Sequence, residues 1–177
     1  KLHANKGEFI MPNHCYQTVY IQGAGKVVSK LYRYLKTERS DIMPRFCDVI
    51  SPVPVEISLN TDDRAEYDWR NTNWNTKWDV CDVEIREELD FNEDKTTARF
   101  SFYCWTAWAP PIPVWDKLHA MGIEVEADYV DEGGWFEGEY ALGKDNCWRP
   151  DDEEDDEELG LEDTIDVFKN LMKETMG

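Results

Sequence analysis

The chain lacks several features that would assign it to a functional class at once. It has no run of about 18 apolar residues, which excludes a transmembrane helix, and residues 1–30 contain no signal-peptide apolar core. Its five cysteines form no Cys-x-x-Cys pair, and no histidine lies at zinc-finger spacing from them. We therefore expect a cytoplasmic protein with reduced thiols and no cofactor. A metal site assembled from His14, Cys15, Cys47 or His119 is the less favoured alternative.

Basic residues are scarce. The chain has 19 Lys and Arg against 38 Asp and Glu, which gives a net charge of −19. Residues 151–177 hold 12 acids and 2 lysines, a net charge of −10, so the rest of the chain carries −9. An acidic surface of this extent repels phosphate groups, so direct nucleic-acid binding is disfavoured and a charged partner is expected to be basic.

Composition divides the chain into three segments. Residues 1–10 show no periodicity and precede Met11, so we interpret them as a non-native leader. Residues 11–148 are predicted to form one domain, and residues 149–177 an acidic linker followed by an amphipathic helix. The linker contains eight consecutive acids, which we regard as an interaction tail: Asp151, Asp152, Glu153, Glu154, Asp155, Asp156, Glu157 and Glu158.

Alternating apolar and polar residues predict five strands, over 15–22, 81–86, 98–105, 123–129 and 135–142. Apolar residues at helical spacing predict helices over 26–37 and 114–121, and Thr61-Asp62-Asp63-Arg64 can begin a short helix leading to Trp69. This order predicts an α+β fold, namely a ferredoxin-like antiparallel sheet with helices on one face and an extra strand. The other face of the sheet must then be covered or used.

The stretch from Asp68 to Pro111 contains five of the eight tryptophans, mixed with Asn, Asp, Arg and Lys. This composition is too polar for a core and too aromatic for an ordinary loop. We interpret residues 68–79 as a Trp-rich loop and expect Trp74, Lys77, Trp78 and Trp108 to form one cluster. The candidate binding residues are Trp69, Asn73, Trp74, Lys77, Trp78, Asp79, Trp105 and Trp108.

Lys77, flanked by tryptophans and followed by Asp79, has two interpretations. It could be a lysine with a lowered pKa that is ready for chemistry. We favour a cation–π and salt-bridge contact that holds the loop, because no nucleophile, second base or oxyanion donor is recognisable nearby. No catalytic residue is therefore assigned. In the structural interpretation, Trp78→Ala is expected to cost about 3–5 kcal/mol.

Two further groups of polar residues have competing interpretations. Asn71, Asn73 and Asn75 alternate with Thr and Trp and could line a groove for a base or sugar. We favour a polar loop in which the amides bond their own backbone. Glu137 and Glu139 could form a carboxylate pair for hydrolysis or Mg²⁺, but a solvated acidic sheet edge is the commoner meaning.

Several motifs occur in a characteristic order over residues 11–142. They are Met11-Pro12-Asn13-His14-Cys15, Pro52-Val53-Pro54, Asn73-Trp74-Asn75-Thr76-Lys77-Trp78-Asp79, Thr106-Ala107-Trp108-Ala109-Pro110-Pro111 and Gly134-Trp135-Phe136-Glu137-Gly138. Together they resemble the Api92-like, YubB-type family of phage and plasmid proteins. The resemblance implies a ferredoxin-like domain and an accessory protein of a bacteriophage or mobile element, in the cytoplasm of the host bacterium. His14 stands where the family usually has Trp, and Asn75 where it usually has Gly.

Three functions are compatible with these features. The first is a non-enzymatic protein that binds a basic surface of a host protein, as an anti-defence inhibitor or nucleic-acid mimic. The second is a small-ligand-binding protein or enzyme that uses the Trp/Asn/Lys77 pocket. The third is a single-stranded nucleic-acid binder on a sheet face lined by Tyr16, Tyr20, Tyr103 and Trp105. The net charge favours the first.

Overall fold

A computed structural model of the chain describes residues 13–36, 46–60 and 63–150. The interpretations of residues 1–10 and 151–158, and the tail helix, lie outside the described residues. By its contacts the chain divides into two units, Lys1–Cys147 and Trp148–Gly177, and the fold below is that of the first. The elements are β1 (His14–Ala24), α1 (Gly25–Leu35), α2 (Phe46–Ile50), α3 (Val55–Ser58), α4 (Asp63–Trp74), β2 (Cys81–Phe91), β3 (Thr97–Ala107), α5 (Ile112–Ala120), β4 (Glu124–Asp131), β5 (Glu137–Ala141) and β6 (Lys144–Trp148).

The strands form one open antiparallel sheet in the order β2-β3-β1-β4-β5-β6. Its central strand, β1, pairs with β3 on one side and with β4 on the other, so that Val19 lies opposite both Phe102 and Ala127. Directly paired residues point to the same face of a sheet, and their alternation matches the sequence pattern. The prediction of an α+β fold with an antiparallel sheet is thus confirmed.

The hydrophobic core lies on one face of this sheet. Alternate residues of the three central strands supply one side of it, among them Val19, Phe102 and Val125. Helices α1 and α5 supply the other side: Val28, Leu31, Leu35, Val114, Trp115 and Leu118. Met121, the last residue of the predicted second helix, is 61% exposed because the helix ends at Ala120. Gly122, with φ +77°, follows in the left-handed conformation that commonly ends a helix.

Residues 63–74 are helical, so the interpretation of 68–79 as a loop was wrong over its first part. Asn and Thr favour loops because their side chains compete for backbone hydrogen bonds. Here those side chains bond carbonyls one turn back within the helix, as Asn71 Nδ2 does with Tyr67 O at 2.9 Å and Asn73 Nδ2 with Trp69 O at 2.9 Å. Asn71 and Asn73 therefore lie along a helix and do not line a groove.

The end of the sheet also differs from the prediction. Strand β5 ends at Ala141, because Leu142 adopts φ 53° and Gly143 φ 72° in a tight turn. Leu142 is 72% exposed instead of packing with the apolar residues of the strand. The turn leads into β6, which the sequence did not predict because all five of its residues are exposed and show no alternation.

Candidate functional site

The face of the sheet opposite the helices carries a continuous set of polar and aromatic side chains. Cross-strand pairing of Tyr16 with Trp105 and of Thr18 with Tyr103 places these residues on it. We call this surface the open face and define it by these residues of the five strands β1 to β5: His14, Tyr16, Thr18, Tyr20, Gln22, Asp82, Glu84, Arg86, Glu87, Asp90, Arg99, Ser101, Tyr103, Trp105, Glu124, Glu126, Asp128, Val130, Glu137 and Glu139.

One end of the open face is bounded by the segment that follows α4. Lys77 Nζ lies 5.2 Å from the ring centroid of Trp78 and 5.6 Å from that of Trp108. The Trp78 ring meets Trp105 edge-on at 6.2 Å, and Trp105 Nε1 donates a hydrogen bond to Asp82 Oδ2 at 2.8 Å. A lysine between two aromatic faces is held by the electrostatic attraction of the rings for a cation.

The aromatic contacts continue from Trp105 along β1. The His14 ring lies 4.1 Å from the Trp105 ring, and the His14 backbone N–H donates to Glu132 Oε2 at 3.0 Å. The next ring, Tyr16, stacks with Tyr103 at 6.3 Å. We call the whole chain of contacts the aromatic strip: Trp108, Lys77, Trp78, Trp105, His14, Tyr16, Tyr103 and Arg86, whose guanidinium lies 5.2 Å from the Tyr103 centroid.

The structure brings together Lys77, Trp78 and Trp108, as predicted, but it places Trp74 in a different cluster. Trp74 is 2% exposed, packs edge-on against Trp69 at 5.8 Å and donates from Nε1 to Ser51 O at 2.8 Å. The reason is the helical conformation of α4, whose last residue, Trp74, faces the core. Asn73, Trp69 and Trp74 therefore serve the packing of α4, whereas Lys77, Trp78, Trp105 and Trp108 belong to the strip.

Residues 75–76 anchor the strip to the end of β3. Asn75 adopts φ 63° and donates from Nδ2 to Pro110 O at 3.0 Å. Asparagine tolerates this left-handed conformation better than other non-glycine residues. The buried Thr76 hydroxyl accepts a hydrogen bond from Ala107 N at 3.1 Å and donates to Ala107 O at 3.0 Å. These bonds fix the turn that presents Lys77 and Trp78.

Asp79 has a structural role. Its Oδ1 accepts hydrogen bonds from Cys47 N at 2.9 Å and Val80 N at 2.8 Å, and its Oδ2 accepts from Asp48 N at 3.0 Å. It thus satisfies backbone N–H groups in the first turn of α2. Among the described residues, no salt bridge joins Asp79 to Lys77. The predicted salt bridge is therefore not formed, and Lys77 instead contacts the rings of Trp78 and Trp108.

Burial of the Asp79 carboxyl raises its pKa above the ordinary value of 3.8, and the three backbone hydrogen bonds oppose this shift. A carboxyl whose pKa is higher in the folded than in the unfolded state binds more protons when folded. Its contribution to stability is therefore present at low pH and is lost as the pH rises from 3.8 through the raised folded pKa.

We predict that Asp79→Asn changes how stability depends on pH. The wild-type free energy of unfolding minus that of the variant should decrease as the pH rises from about 4 to 7, since only the wild type must ionise a buried carboxyl. Urea denaturation at several pH values measures this difference. Asp94→Asn, at an exposed turn position, is the control and should show a nearly flat difference over this range, because hydrogen bonds from Thr96 lower the Asp94 pKa below 3.8 and its contribution is lost only at lower pH. A difference for Asp79→Asn that increases with pH would contradict the assignment.

The four buried cysteines are poor nucleophiles in this fold. All five are free, and Cys15, Cys47, Cys81 and Cys104 are buried. Burial raises the pKa of Cys15 to about 12 and that of Cys81 to about 11, so these thiols stay protonated near neutral pH. In the described ranges, no three His, Cys, Asp or Glu side chains are grouped so as to hold a metal ion. Nor does any helix of those ranges have the length and apolarity needed to cross a membrane.

Carboxylates predominate around the aromatic strip. The open face carries two arginines, Arg86 and Arg99, and the following acids: Asp82, Glu84, Glu87, Asp90, Glu124, Glu126, Asp128, Glu137 and Glu139. Arg86 is paired with Glu84 at 3.1 Å and Arg99 with Asp90 at 3.2 Å. The two arginines are thus already partnered, and the remaining carboxylates set the sign of the surface potential.

Three residues of this site, His14, Asp82 and Arg86, were not among the predicted binding residues. Each reaches the strip through a cross-strand contact, which a one-dimensional pattern shows only when the register of the hairpin is known. The available signal was the alternation itself, because His14 has the same parity as Tyr16 and Tyr20 along the first strand.

The fold and the site together define an α+β protein with one helix-covered sheet face and one open, acidic and aromatic face. Comparison of the chain with protein-family models, with curated proteins and with solved structures finds no match.

Proposed function

We propose that this chain is a non-enzymatic protein that binds a basic surface of another protein. The observation that carries the proposal is the composition of the open face, on which carboxylates surround an aromatic strip and greatly outnumber arginines. Trp, Tyr and Arg are enriched among the few residues that contribute most of the binding energy at protein interfaces, whereas surrounding charges steer the partner and select its sign. A partner that complements this face must be rich in Lys and Arg.

The proposal includes the origin and the fold family of the protein. We propose a phage or mobile-element accessory protein, which acts on a host protein as an anti-defence inhibitor or as a mimic of nucleic-acid charge. Its support is the resemblance of the quoted motifs to the Api92-like, YubB-type family. We also propose that the core is ferredoxin-like, and its support is the strand order β2-β3-β1-β4 with α1 following β1 and α5 following β3.

The two other candidate functions have weaker support. A ligand pocket around Lys77 requires an accessible ammonium group, but the rings of Trp78 and Trp108 already flank it. Single-stranded nucleic acid could stack on Tyr16 and Tyr103, but its phosphates would meet the carboxylates of the same face.

The test is capture of host proteins on the immobilised full-length chain at about 50 and 500 mM salt. We expect a basic protein, identified by mass spectrometry, that is retained at low salt and released at high salt, because charge attraction between exposed groups is screened. An unrelated acidic protein of similar net charge is the control for non-specific capture. Retention that is independent of salt, or the same proteins on the control, would contradict the proposal.

A further inference from the structure

A shallow depression of about 340 Å³ lies on the open face, further along β1 than the aromatic strip. Tyr20 contributes an aromatic wall that is 41% exposed. The polar side chains that line the depression are Gln22, Glu87, Arg99, Glu124 and Glu126. Its lining is thus aromatic and predominantly anionic, with the single arginine at one side.

Two rows of paired residues build the depression across β2, β3, β1 and β4. One row runs Glu87, Ser101, Tyr20, Glu126, and the other runs Asp90, Arg99, Gln22, Glu124. Neighbouring strands lie about 4.8 Å apart, so the Cα atoms of Glu87 and Glu126 are separated by three spacings, or roughly 14 Å. We call this depression the trough. The first row places the carboxylates of Glu87 and Glu126 at its two ends and Tyr20 between them.

The polar side chains of the second row pair with one another, whereas the carboxylates of the first row have no such partner. Arg99 pairs with Asp90 at 3.2 Å, and Gln22 Nε2 donates to Glu124 Oε2 at 3.2 Å. Within the part of the chain that the structure describes, Glu87 and Glu126 have no ion pair. The hydroxyl of Ser101, which is 1% exposed and paired with both Tyr20 and Glu87, has no hydrogen-bond partner there either.

Such a surface selects its partner by charge. Two unpaired carboxylates at a fixed separation attract two cations, and the exposed ring between them stacks against the aliphatic stem or guanidinium of arginine. An extended chain rises about 3.3 Å per residue, so cations four residues apart span roughly 13 Å, close to the separation of the two carboxylates. A phosphate backbone presents the wrong sign to both ends.

We infer that this trough is where an extended, basic segment of the partner protein docks, with two arginine or lysine side chains four residues apart that contact Glu87 and Glu126. The inference rests on the proposed function and adds to it the place on the open face and the spacing of the cations. The segment crosses the strands of the sheet, and Tyr20 lies under its centre.

The experiment is an NMR titration of the isotope-labelled full chain at low salt with two Gly/Ser decapeptides. One has two arginines four residues apart, and the other has two adjacent arginines. We expect the spaced peptide to bind at least about threefold more tightly and to shift the amide signals of Tyr20, Ser101 and Glu126. The double variant Glu87→Gln/Glu126→Gln should weaken its binding about tenfold, as loss of two exposed ion pairs predicts.

The control is Glu56→Gln/Glu93→Gln, which removes the same charge from two exposed positions outside the open face. Equal weakening by both double variants would overturn the trough as the docking place and leave the proposed function standing, because binding would then follow total charge alone. The same conclusion follows if neither peptide shifts the trough signals while basic host proteins are still captured. Loss of both peptide binding and salt-sensitive capture would overturn the proposed function as well.

Discussion

Replacing Trp74 by alanine is expected to lower the free energy of unfolding by about 3–5 kcal/mol, as removal of a large buried aromatic does. Trp74 is 2% exposed, contacts Trp69 edge-on and donates its indole N–H to Ser51 O. Its removal leaves a cavity between α4 and the core and an unpaired buried carbonyl. Urea denaturation followed by circular dichroism measures the loss.

The matched comparison is Trp78→Ala in the same segment. Trp78 is half-buried and contacts Lys77 and Trp105 at the border of the open face. We expect a cost of only about 1–2 kcal/mol, because Trp78 buries less apolar surface than Trp74 and its removal therefore loses less hydrophobic stabilisation. This revises the sequence-based value of about 3–5 kcal/mol for Trp78, which assumed a core position. A larger loss for Trp78→Ala than for Trp74→Ala would show that the burial assignments of the two residues are reversed.

Substitutions of Trp74 and Trp78 also distinguish an effect on stability from an effect on partner binding. Trp74→Phe keeps most of the ring volume and loses the bond to Ser51 O, so it should recover part of the stability and leave partner binding unchanged. Trp78→Ala should weaken partner binding in a protein that is still folded, because Trp78 belongs to the aromatic strip. Melting and binding measured on the same samples distinguish these effects.

Much of the sheet could be predicted because its residues obey a simple alternation. Val19 and Phe102 face the helices, while Thr18 and Tyr103 face away, and a period of two in the sequence reports this directly. The first helix could be predicted for the same reason, since Val28, Leu31 and Leu35 recur at helical spacing and are buried. In these elements local pattern and tertiary packing agree.

The first part of helix α4 was predicted as a short helix leading to Trp69, but its last part could not be predicted from its composition. Asn71, Thr72 and Asn73 have poor helix propensity, but each side chain bonds a carbonyl four residues back in the helix. Packing of Trp74 in the core then stabilises the helix as a whole. Tertiary contacts of this kind commonly override local propensity.

The aromatic strip was predicted only in two unconnected parts. The sequence showed the Trp-rich segment and the tyrosines of the sheet separately, because nothing in either part reveals that β2 begins opposite Trp105. That register brings Trp78 to Trp105, and His14 joins Trp105 to Tyr16. A functional surface assembled across strands is therefore visible only when pairing is known.

Deleting residues 149–177 is expected to leave the sheet folded and to weaken partner binding by roughly tenfold or more at low salt. Among the described residues, the buried cluster is built from residues 15–140. The deletion removes a net charge of −9 out of −19, because residues 151–177 carry −10 and Arg149 carries +1. Since long-range attraction between exposed charges is screened within about 10 Å at 0.1 M salt, the difference between the two chains should shrink as salt is added.

A variant with an uncharged linker distinguishes the contribution of the acids to binding from that of the predicted helix. Replacing the acids of 151–158 by Ser and Gln removes their charge and keeps the apolar residues Leu161, Ile165, Phe168 and Met172. If the acids steer the partner, this variant should bind as weakly at low salt as the truncated chain, and mainly through a slower association rate. If the predicted helix anchors the partner, the variant should retain the slow dissociation of the full chain. Loss of folding in the truncated chain would instead make the tail part of the core, and undiminished binding would remove it from the mechanism.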